Sequence, residues 1–266
     1  MQLIDIGINL AHASYDRDRD AVIARARAAG VGQMIVTGSD LASIARAVEL
    51  VHQYPGILSA TAGIHPHHAA SHDATATAAL RSWLARPEIS AAGECGLDYY
   101  RNYSPREAQL ASFRAQLEVA VELARPVFLH QRDAHADFIA MLAEFRPRLA
   151  RAVAHCFTGS VEEARACLDL DLHLGITGWI NDERRGRHLY EVVRFVPANR
   201  LMLETDGPYL LPRDLHPKPA TRRNEPMYLR HILDTVARAR GESPDELAAE
   251  TTRTAREFFA LPAPPV

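Results

Sequence analysis

The segment Ile89-Ser-Ala-Ala-Gly-Glu94 is a short run of small and apolar residues that ends in one carboxylate. Runs of this kind are typical of parallel β-strands that are buried on both faces. Similar runs occur at 33–36, 58–62, 126–129, 152–154, 172–176 and 201–203. Longer segments with a helical period of apolar residues separate them. The pattern predicts strands and helices that alternate along the chain.

Each predicted strand carries or is followed by one polar residue of chemical interest. The eight residues are Asp5, Thr37, His65, Glu94, His130, His155, Thr177 and Asp206. They lie 22 to 36 residues apart, and one strand, one helix and two loops of an eightfold barrel occupy about 30 residues. We therefore predict an α/β fold, a (β/α)8 TIM barrel, formed by a single catalytic domain over residues 1–266. Its strands should bring these side chains to one pocket.

Three predicted helices begin with a serine that is followed three residues later by a glutamate. The pairs are Ser104 with Glu107, Ser160 with Glu163, and Ser243 with Glu246. This spacing is typical of a capping box, in which each side chain bonds the other residue's backbone N–H.

The composition limits the kinds of partner that the protein can bind. Apolar residues make up 47% of the chain and charged residues 24%, and the net charge is −3. A protein that holds nucleic acid by a broad electrostatic field is usually basic, so phosphate recognition here must be local. The candidate phosphate-binding residues are the arginines that follow the last two predicted strands, Arg184, Arg185, Arg222 and Arg223. For any one of them, a solvated charged loop is the alternative interpretation.

The sequence contains no long apolar run of ~18 residues, and its first residues do not resemble a signal peptide. Three cysteines, an odd and low number, are typical of a reduced cytosolic protein. We therefore expect a cytoplasmic protein that does not contact membranes and that is a monomer.

A carboxylate and two imidazoles form a suitable set of ligands for a divalent metal ion. Glu94, His130 and His155 would provide this set, and Asp206 would be a further ligand and the base that takes a proton from water. Each residue alone has an ordinary structural explanation, but four at successive barrel positions predict a metal-dependent hydrolase. His65 and His67, in the segment Gly63-Ile-His-Pro-His67, are candidate catalytic residues that would contact a substrate phosphate, although a merely histidine-rich loop remains the alternative.

Four motifs in this sequence resemble those of the TatD family of metal-dependent deoxyribonucleases. They are Gly63-Ile-His-Pro-His67, Glu94-Cys-Gly-Leu-Asp98, His155-Cys-Phe-Thr-Gly159 and Leu203-Glu-Thr-Asp-Gly-Pro-Tyr-Leu210. The resemblance extends from Leu3 to about Phe259. It implies an amidohydrolase-like barrel and a 3′→5′ exonuclease that cleaves single-stranded DNA, and RNA as a second substrate, in DNA degradation or repair. It also implies that the residue at Glu94 bridges two metal ions.

The first strand departs from the family pattern. Most members begin with Asp-x-His-x-His, whereas this chain has Asp5-Ile-Gly-Ile-Asn9. Gly7 offers no ligand and Asn9 offers a weak one, so we expect one complete metal site and a weak second site. A site with fewer imidazoles favours Mg²⁺, with Mn²⁺ or Zn²⁺ as alternatives. Replacing Gly7 and Asn9 by histidine should then restore a second metal site.

Two other functions are compatible with the same residues. One is an amidohydrolase-type metal hydrolase of a small cyclic amide or lactone, and the other is a non-catalytic barrel that serves as a binding scaffold. The phosphate-binding arginines favour the nuclease over the former, and the retained candidate ligands favour it over the latter.

Overall fold

Eight parallel strands pair in sequence order around a barrel in this computed structural model, which describes residues 2–263. The strands are β1 (Leu3–Ile8), β2 (Val31–Val36), β3 (Leu58–Ala62), β4 (Ile89–Asp98), β5 (Val127–Arg132), β6 (Ala152–Ala154), β7 (His173–Ile176) and β8 (Leu201–Leu203). Backbone hydrogen bonds from Asp206 N to Gly7 O (2.8 Å) and from Asn9 N to Gly207 O (2.9 Å) join the segment after β8 to β1. The predicted TIM barrel is therefore confirmed.

Helices connect the strands and cover the outside of the barrel. They are α1 (Arg19–Ala28), α2 (Leu41–Gln53), α3 (Ala74–Leu84), α4 (Arg106–Glu122), α5 (His135–Phe145), α6 (Val161–Asp169), α7 (Leu189–Phe195), α8 (Leu229–Arg240) and α9 (Pro244–Phe259). Because each connecting helix runs antiparallel to its strand, the carboxyl ends of the strands meet at one rim of the barrel. No helix in residues 2–263 is long and apolar enough to cross a bilayer.

The inside of the barrel is filled with apolar side chains and is not a pore. Ile6, Phe128 and Met202 are fully buried there, and Phe258 and Phe259 of α9 pack against the same cluster. Burial of a side chain of this size stabilises the fold by about 1.5–3 kcal/mol. The filled interior leaves the carboxyl-terminal rim for a functional site.

The strand β4 departs from regular pairing where it approaches β5. Its register shifts between Ala92 and Cys95, and Gly93 and Gly96 have φ values of 136° and 145°. A side chain at either glycine would overlap a backbone carbonyl of β5, that of Phe128 or His130. Glycine is therefore needed at both positions on either side of Glu94, which the close approach of the two strands holds in place.

The helix starts follow the predicted capping boxes only in part. Ser160 and Glu163 form the predicted reciprocal box at the start of α6. The Ser243 side chain makes no such bond, although Ser243 does precede α9. The prediction for Ser104 was wrong: its hydroxyl donates to the carbonyl of His67 (3.0 Å) and accepts from Ala70 N (3.0 Å). It therefore ties the loop after β3 to the start of α4.

Candidate metal centre

Glu94 lies at the centre of a cluster of imidazoles at the carboxyl-terminal rim. Its Oε1 atom is 2.7 Å from His155 Nε2, 2.9 Å from His130 Nδ1 and 3.3 Å from His65 Nε2. The Glu94 carboxylate is buried, and so is the His155 ring. Two donor atoms that bind one ion at about 2.0–2.2 Å lie roughly 3 Å apart, so the distances within this cluster suit a shared metal ion. His65, Glu94 and His130 all lie within reach of one ion.

The second ring nitrogen of each histidine decides whether the first can bind a metal, because a ligating nitrogen must be unprotonated. The other nitrogen of His155, Nδ1, faces Glu204 Oε2 at 3.2 Å. The other nitrogen of His130, Nε2, faces Asp98 Oδ2 at 3.4 Å. Carboxylates accept hydrogen bonds, so these outer nitrogens carry the protons. The nitrogens that face Glu94 then have free lone pairs, as a metal ligand requires.

His65 is oriented in the opposite way. Its Nδ1 accepts a hydrogen bond from the backbone N–H of His67 (3.1 Å), and a backbone N–H can only donate. Burial lowers the pKa of His65 to about 4, so its ring is neutral at pH 7 and its proton resides on Nε2. His65 therefore presents a hydrogen-bond donor to the site. This favours a contact with substrate over metal ligation, even though His65 lies within the cluster.

Glu204 is a member of the site that the sequence analysis did not identify. It is completely buried, and its carboxylate accepts from the backbone N–H of Cys156 as well as facing His155. Added side-chain atoms at Gly7 of β1 or Gly175 of β7 would overlap this carboxylate. The two glycines thus form a slot on either side of β8 that only Glu204 fills. The even spacing between Glu204 and Asp206 was the available sequence signal.

The Gly7 slot corrects the expectation that histidines at positions 7 and 9 would restore a second metal site. A side chain at Gly7 would meet the Glu204 carboxylate and would approach Phe128 Cζ to 3.1 Å. The space that a histidine needs is therefore already occupied. Asn9 lies beside Asp206, to whose Oδ1 its amide donates at 3.1 Å.

Asp206 lies in the turn after β8, where its φ of 52° is left-handed. Burial raises the pKa of its carboxyl group from 3.8 to about 7, and nearby Glu94 and Glu204 contribute in the same direction. A carboxylate with a pKa near neutrality is a suitable general base. The sequence-predicted residues Glu94, His130, His155 and Asp206 therefore share one end of the barrel.

Asp98 holds the outer part of the site and was also missed as a functional residue. Its Oδ2 lies 2.8 Å from His67 Nε2, and its Oδ1 accepts from Arg101 N at 2.8 Å. Although burial opposes ionisation, hydrogen bonds from His130 and His67 keep the pKa of Asp98 well below its usual range. Asp98 follows Glu94 at an even spacing on β4, which was again the available signal. One carboxylate therefore orients both His130 and His67.

The helix α4 fixes the loops that carry these residues. The Gln116 side-chain amide accepts from Ile64 N (2.7 Å) and donates to Ile64 O (2.9 Å), next to His65. The Gln109 amide does the same for Asp98, with distances of 2.8 Å to N and 3.2 Å to O. Both glutamines are buried, so they replace the backbone partners that the loops lack.

The four candidate phosphate-binding arginines fall into two groups. Arg223 belongs to an internal ion-pair network, with 2.7 Å to Asp18 and 2.8 Å to Glu225. Arg184 and Arg185 are more than half exposed and contact the buried carboxylate of Asp182. Arg222 lines a groove on the same side of the rim. Arg223 is thus occupied by other contacts, whereas the remaining three face solvent near the site.

Comparison with known proteins places this geometry in a family. Residues 4–260 match the TatD related DNase family. A 3′-5′ ssDNA/RNA exonuclease TatD from Erwinia billingiae is 49% identical over 98% of this chain and 100% of that protein. The protein of the same name from Klebsiella pneumoniae is 51% identical over 97% of this chain and 98% of that protein.

Solved structures agree with the sequence comparison. YJJV, a TatD homologue from Escherichia coli K12, has a TM-score of 0.88 and 27% identity, and the match covers 98% of each chain. A phosphotriesterase homology protein from Escherichia coli, at 15% identity and a TM-score of 0.69 over 97% of this chain and 98% of that one, shares the fold. The chain therefore belongs to the TatD related DNase family.

Proposed function

We propose that this protein is a metal-dependent 3′→5′ exonuclease that degrades single-stranded DNA, and RNA as a second substrate. The observation that carries the proposal is the arrangement around Glu94, where His130 and His155 present unprotonated nitrogens. The relatives named as 3′-5′ ssDNA/RNA exonucleases match over nearly their whole length at about half identity, which supports the same substrate class. Three free cysteines, Cys95, Cys156 and Cys167, support a reducing cytoplasmic location. We further propose that the protein acts as a monomer.

The residues present fit one divalent ion better than two. Glu94, His130 and His155 would hold it, with Asp206 at the side of the site nearest to β1. We propose Mg²⁺ as the physiological ion, with Mn²⁺ or Zn²⁺ as alternatives, because carboxylate oxygen tolerates Mg²⁺ and imidazole favours the other two. A second ion would have only Asn9 and Asp206 as new ligands, so its site should be weak. In this role the ion lowers the pKa of a water molecule and neutralises charge on the phosphate.

The protein's own groups then act on the scissile phosphate. Asp206 takes the proton of the attacking water as its oxygen bonds to phosphorus and the bond to the leaving oxygen breaks. The Nε2–H of His65 donates a hydrogen bond to the phosphate. His67, held by Asp98, contacts the leaving oxygen. Geometric fixation by Glu204, Asp98 and the α4 glutamines reduces the motion needed to reach the transition state.

The decisive experiment uses the metal-stripped protein and a single-stranded oligonucleotide labelled at its 5′ end. Addition of Mg²⁺, Mn²⁺ or Zn²⁺ should restore stepwise shortening from the 3′ end, and a circular single strand should remain intact. Glu94→Ala should lose activity while retaining its circular dichroism spectrum, and Glu118→Ala, an exposed glutamate on α4, is the matched control. Equal cutting of the circular strand would contradict exonuclease action. Turnover of a lactone or cyclic amide without nuclease activity would favour the amidohydrolase alternative.

A further inference from the structure

The exposed aromatic side chains are concentrated around the rim that carries the site. Among residues 2–263, the exposed large apolar side chains are Tyr100, Tyr103 and Tyr209. The first two follow β4 and the third follows β8, which are opposite strands of an eight-stranded barrel. The Tyr103 ring lies 4.7 Å from that of His67. The mouth of the site thus has an exposed aromatic surface on each of two opposite sides.

A basic groove of about 410 Å³ begins immediately beyond Tyr209. Its walls are the loop after β7, with Gly178 and Trp179, and the loop after β8, with Leu210 and Pro212. The two walls touch, since a side chain at Gly178 would overlap the Leu210 carbonyl. A cavity of this size is within the range of small-ligand sites.

The groove carries a local excess of positive charge on a protein whose net charge is −3. Four cationic side chains line it: Arg185, Arg213, Lys218 and Arg222. The acidic residue that lines it, Asp182, is almost completely buried and contacts Arg185 at 2.8 Å. The Arg185 guanidinium also stacks on Trp179, 4.3 Å from the ring centroid.

Two of the four cations are available to a ligand. Within residues 2–263, neither Lys218 nor Arg222 has a hydrogen-bond or ion-pair partner. A basic groove next to exposed aromatic rings is the combination that binds single-stranded nucleic acid, because phosphates pair with the cations while bases stack on the rings. The groove therefore has unused binding capacity of the right chemistry.

We infer that this groove is a second nucleotide subsite, which holds the phosphates of the strand on the 5′ side of the scissile bond. The strand passes from the metal centre over Tyr209 and into the groove, and the 3′-terminal nucleotide lies on the opposite side against Tyr103. A 3′→5′ exonuclease has one nucleotide beyond the scissile bond and all the others before it. The side with four cations therefore holds the longer part. This inference rests on the proposed nuclease function.

The experiment compares a thymidine decanucleotide with a thymidine dinucleotide as substrates of the Lys218→Ala/Arg222→Ala double variant. Only the decanucleotide reaches the groove, so the ratio of the two kcat/KM values should fall by about tenfold or more, since charge-assisted contacts are lost only there. The salt dependence of decanucleotide binding should flatten by about one unit of log–log slope. Tyr103→Ala should reduce cleavage of both substrates to a similar extent.

Arg27→Ala/Arg238→Ala is the matched control, because it removes two exposed cations from the last turns of α1 and α8, at the other end of the barrel. It should leave the ratio unchanged. An unchanged ratio in the groove variant, or an equal change in the control, would overturn the inference. So would a loss of length preference in Tyr103→Ala. If the wild-type protein cleaves neither substrate, the nuclease proposal fails, and fluorescence polarisation of labelled decanucleotide then tests the groove independently.

Discussion

Replacement of Glu204 by Gln tests whether the partner of His155 determines metal binding. Glu204 accepts from the backbone N–H of Cys156 with one oxygen and faces His155 Nδ1 at 3.2 Å with the other. A glutamine has the same shape but offers one acceptor and one donor. If its oxygen faces Cys156, its NH₂ group faces His155 Nδ1 and favours the tautomer with the proton on Nε2. That proton would occupy the position of the ligand lone pair.

The opposite orientation of the glutamine is also unfavourable, because its NH₂ group would then face the N–H of Cys156. One contact is lost in either case. Removal of a partner that orients a metal-binding histidine typically weakens metal affinity 10- to 100-fold, or by about 1.4–2.7 kcal/mol. We therefore expect this loss in Glu204→Gln.

The assay is a calorimetric titration of the metal-stripped protein with Mn²⁺. Nitrogen NMR of the histidines would report the tautomer of His155 directly. Glu118→Gln makes the same chemical change on the exposed face of α4 and should bind as tightly as the wild type. A folded Glu204→Gln protein with wild-type affinity would refute the argument that the outer carboxylate selects the tautomer.

Three further predictions concern residues on either side of this centre. Asp206→Asn removes the proposed base, so single-turnover cleavage should slow ~100- to 10,000-fold while metal affinity changes less; a collapse of affinity with normal turnover per bound ion would instead identify a ligand. Burial raises the pKa of Asp5 from 3.8 to about 8, so the folded protein keeps a proton that the unfolded chain releases, and stability should fall as pH rises between these values. Asp5→Asn should flatten that decline in urea midpoints measured from pH 4.5 to 8.5, and an identical slope in both proteins would argue against it. Gly7→His should lower the free energy of unfolding by about 1–3 kcal/mol or more through overpacking against Glu204 and Phe128, and a second tightly bound ion in a stable variant would contradict the occupied slot.

The barrel and the convergence of its polar residues could be predicted because they depend on periodicity. Buried strands at regular intervals specify the topology, and the topology brings Glu94, His130 and His155 to one rim. The strand positions differ in detail. Asp5 lies within β1 and binds the Thr205 N–H (3.0 Å) and hydroxyl (2.5 Å), so it joins β1 to the β8 segment.

The orienting carboxylates could not be assigned from sequence because their roles depend on register. The pairing of β1 shifts between Asp5 and Ile8, and that of β4 shifts beside Glu94. These irregularities decide which residues of a strand face the site, and apolar patterns do not reveal them. Arg223 illustrates a second limit, since its partner Asp18 is 205 residues away in the chain. Its neighbours in sequence gave no indication of this ion pair.

The slot that Glu204 fills has a consequence for redesign. Positions 7 and 204 share one volume, so the two residues can only be exchanged as a pair. A larger residue on β1 requires a shorter one on β8, and the shorter residue would leave the His155 Nδ1 proton and the Cys156 N–H without an acceptor. Addition of metal ligands on β1 would therefore weaken the ligand set around Glu94, and any gain of a second ion in this protein would be accompanied by looser binding of the first.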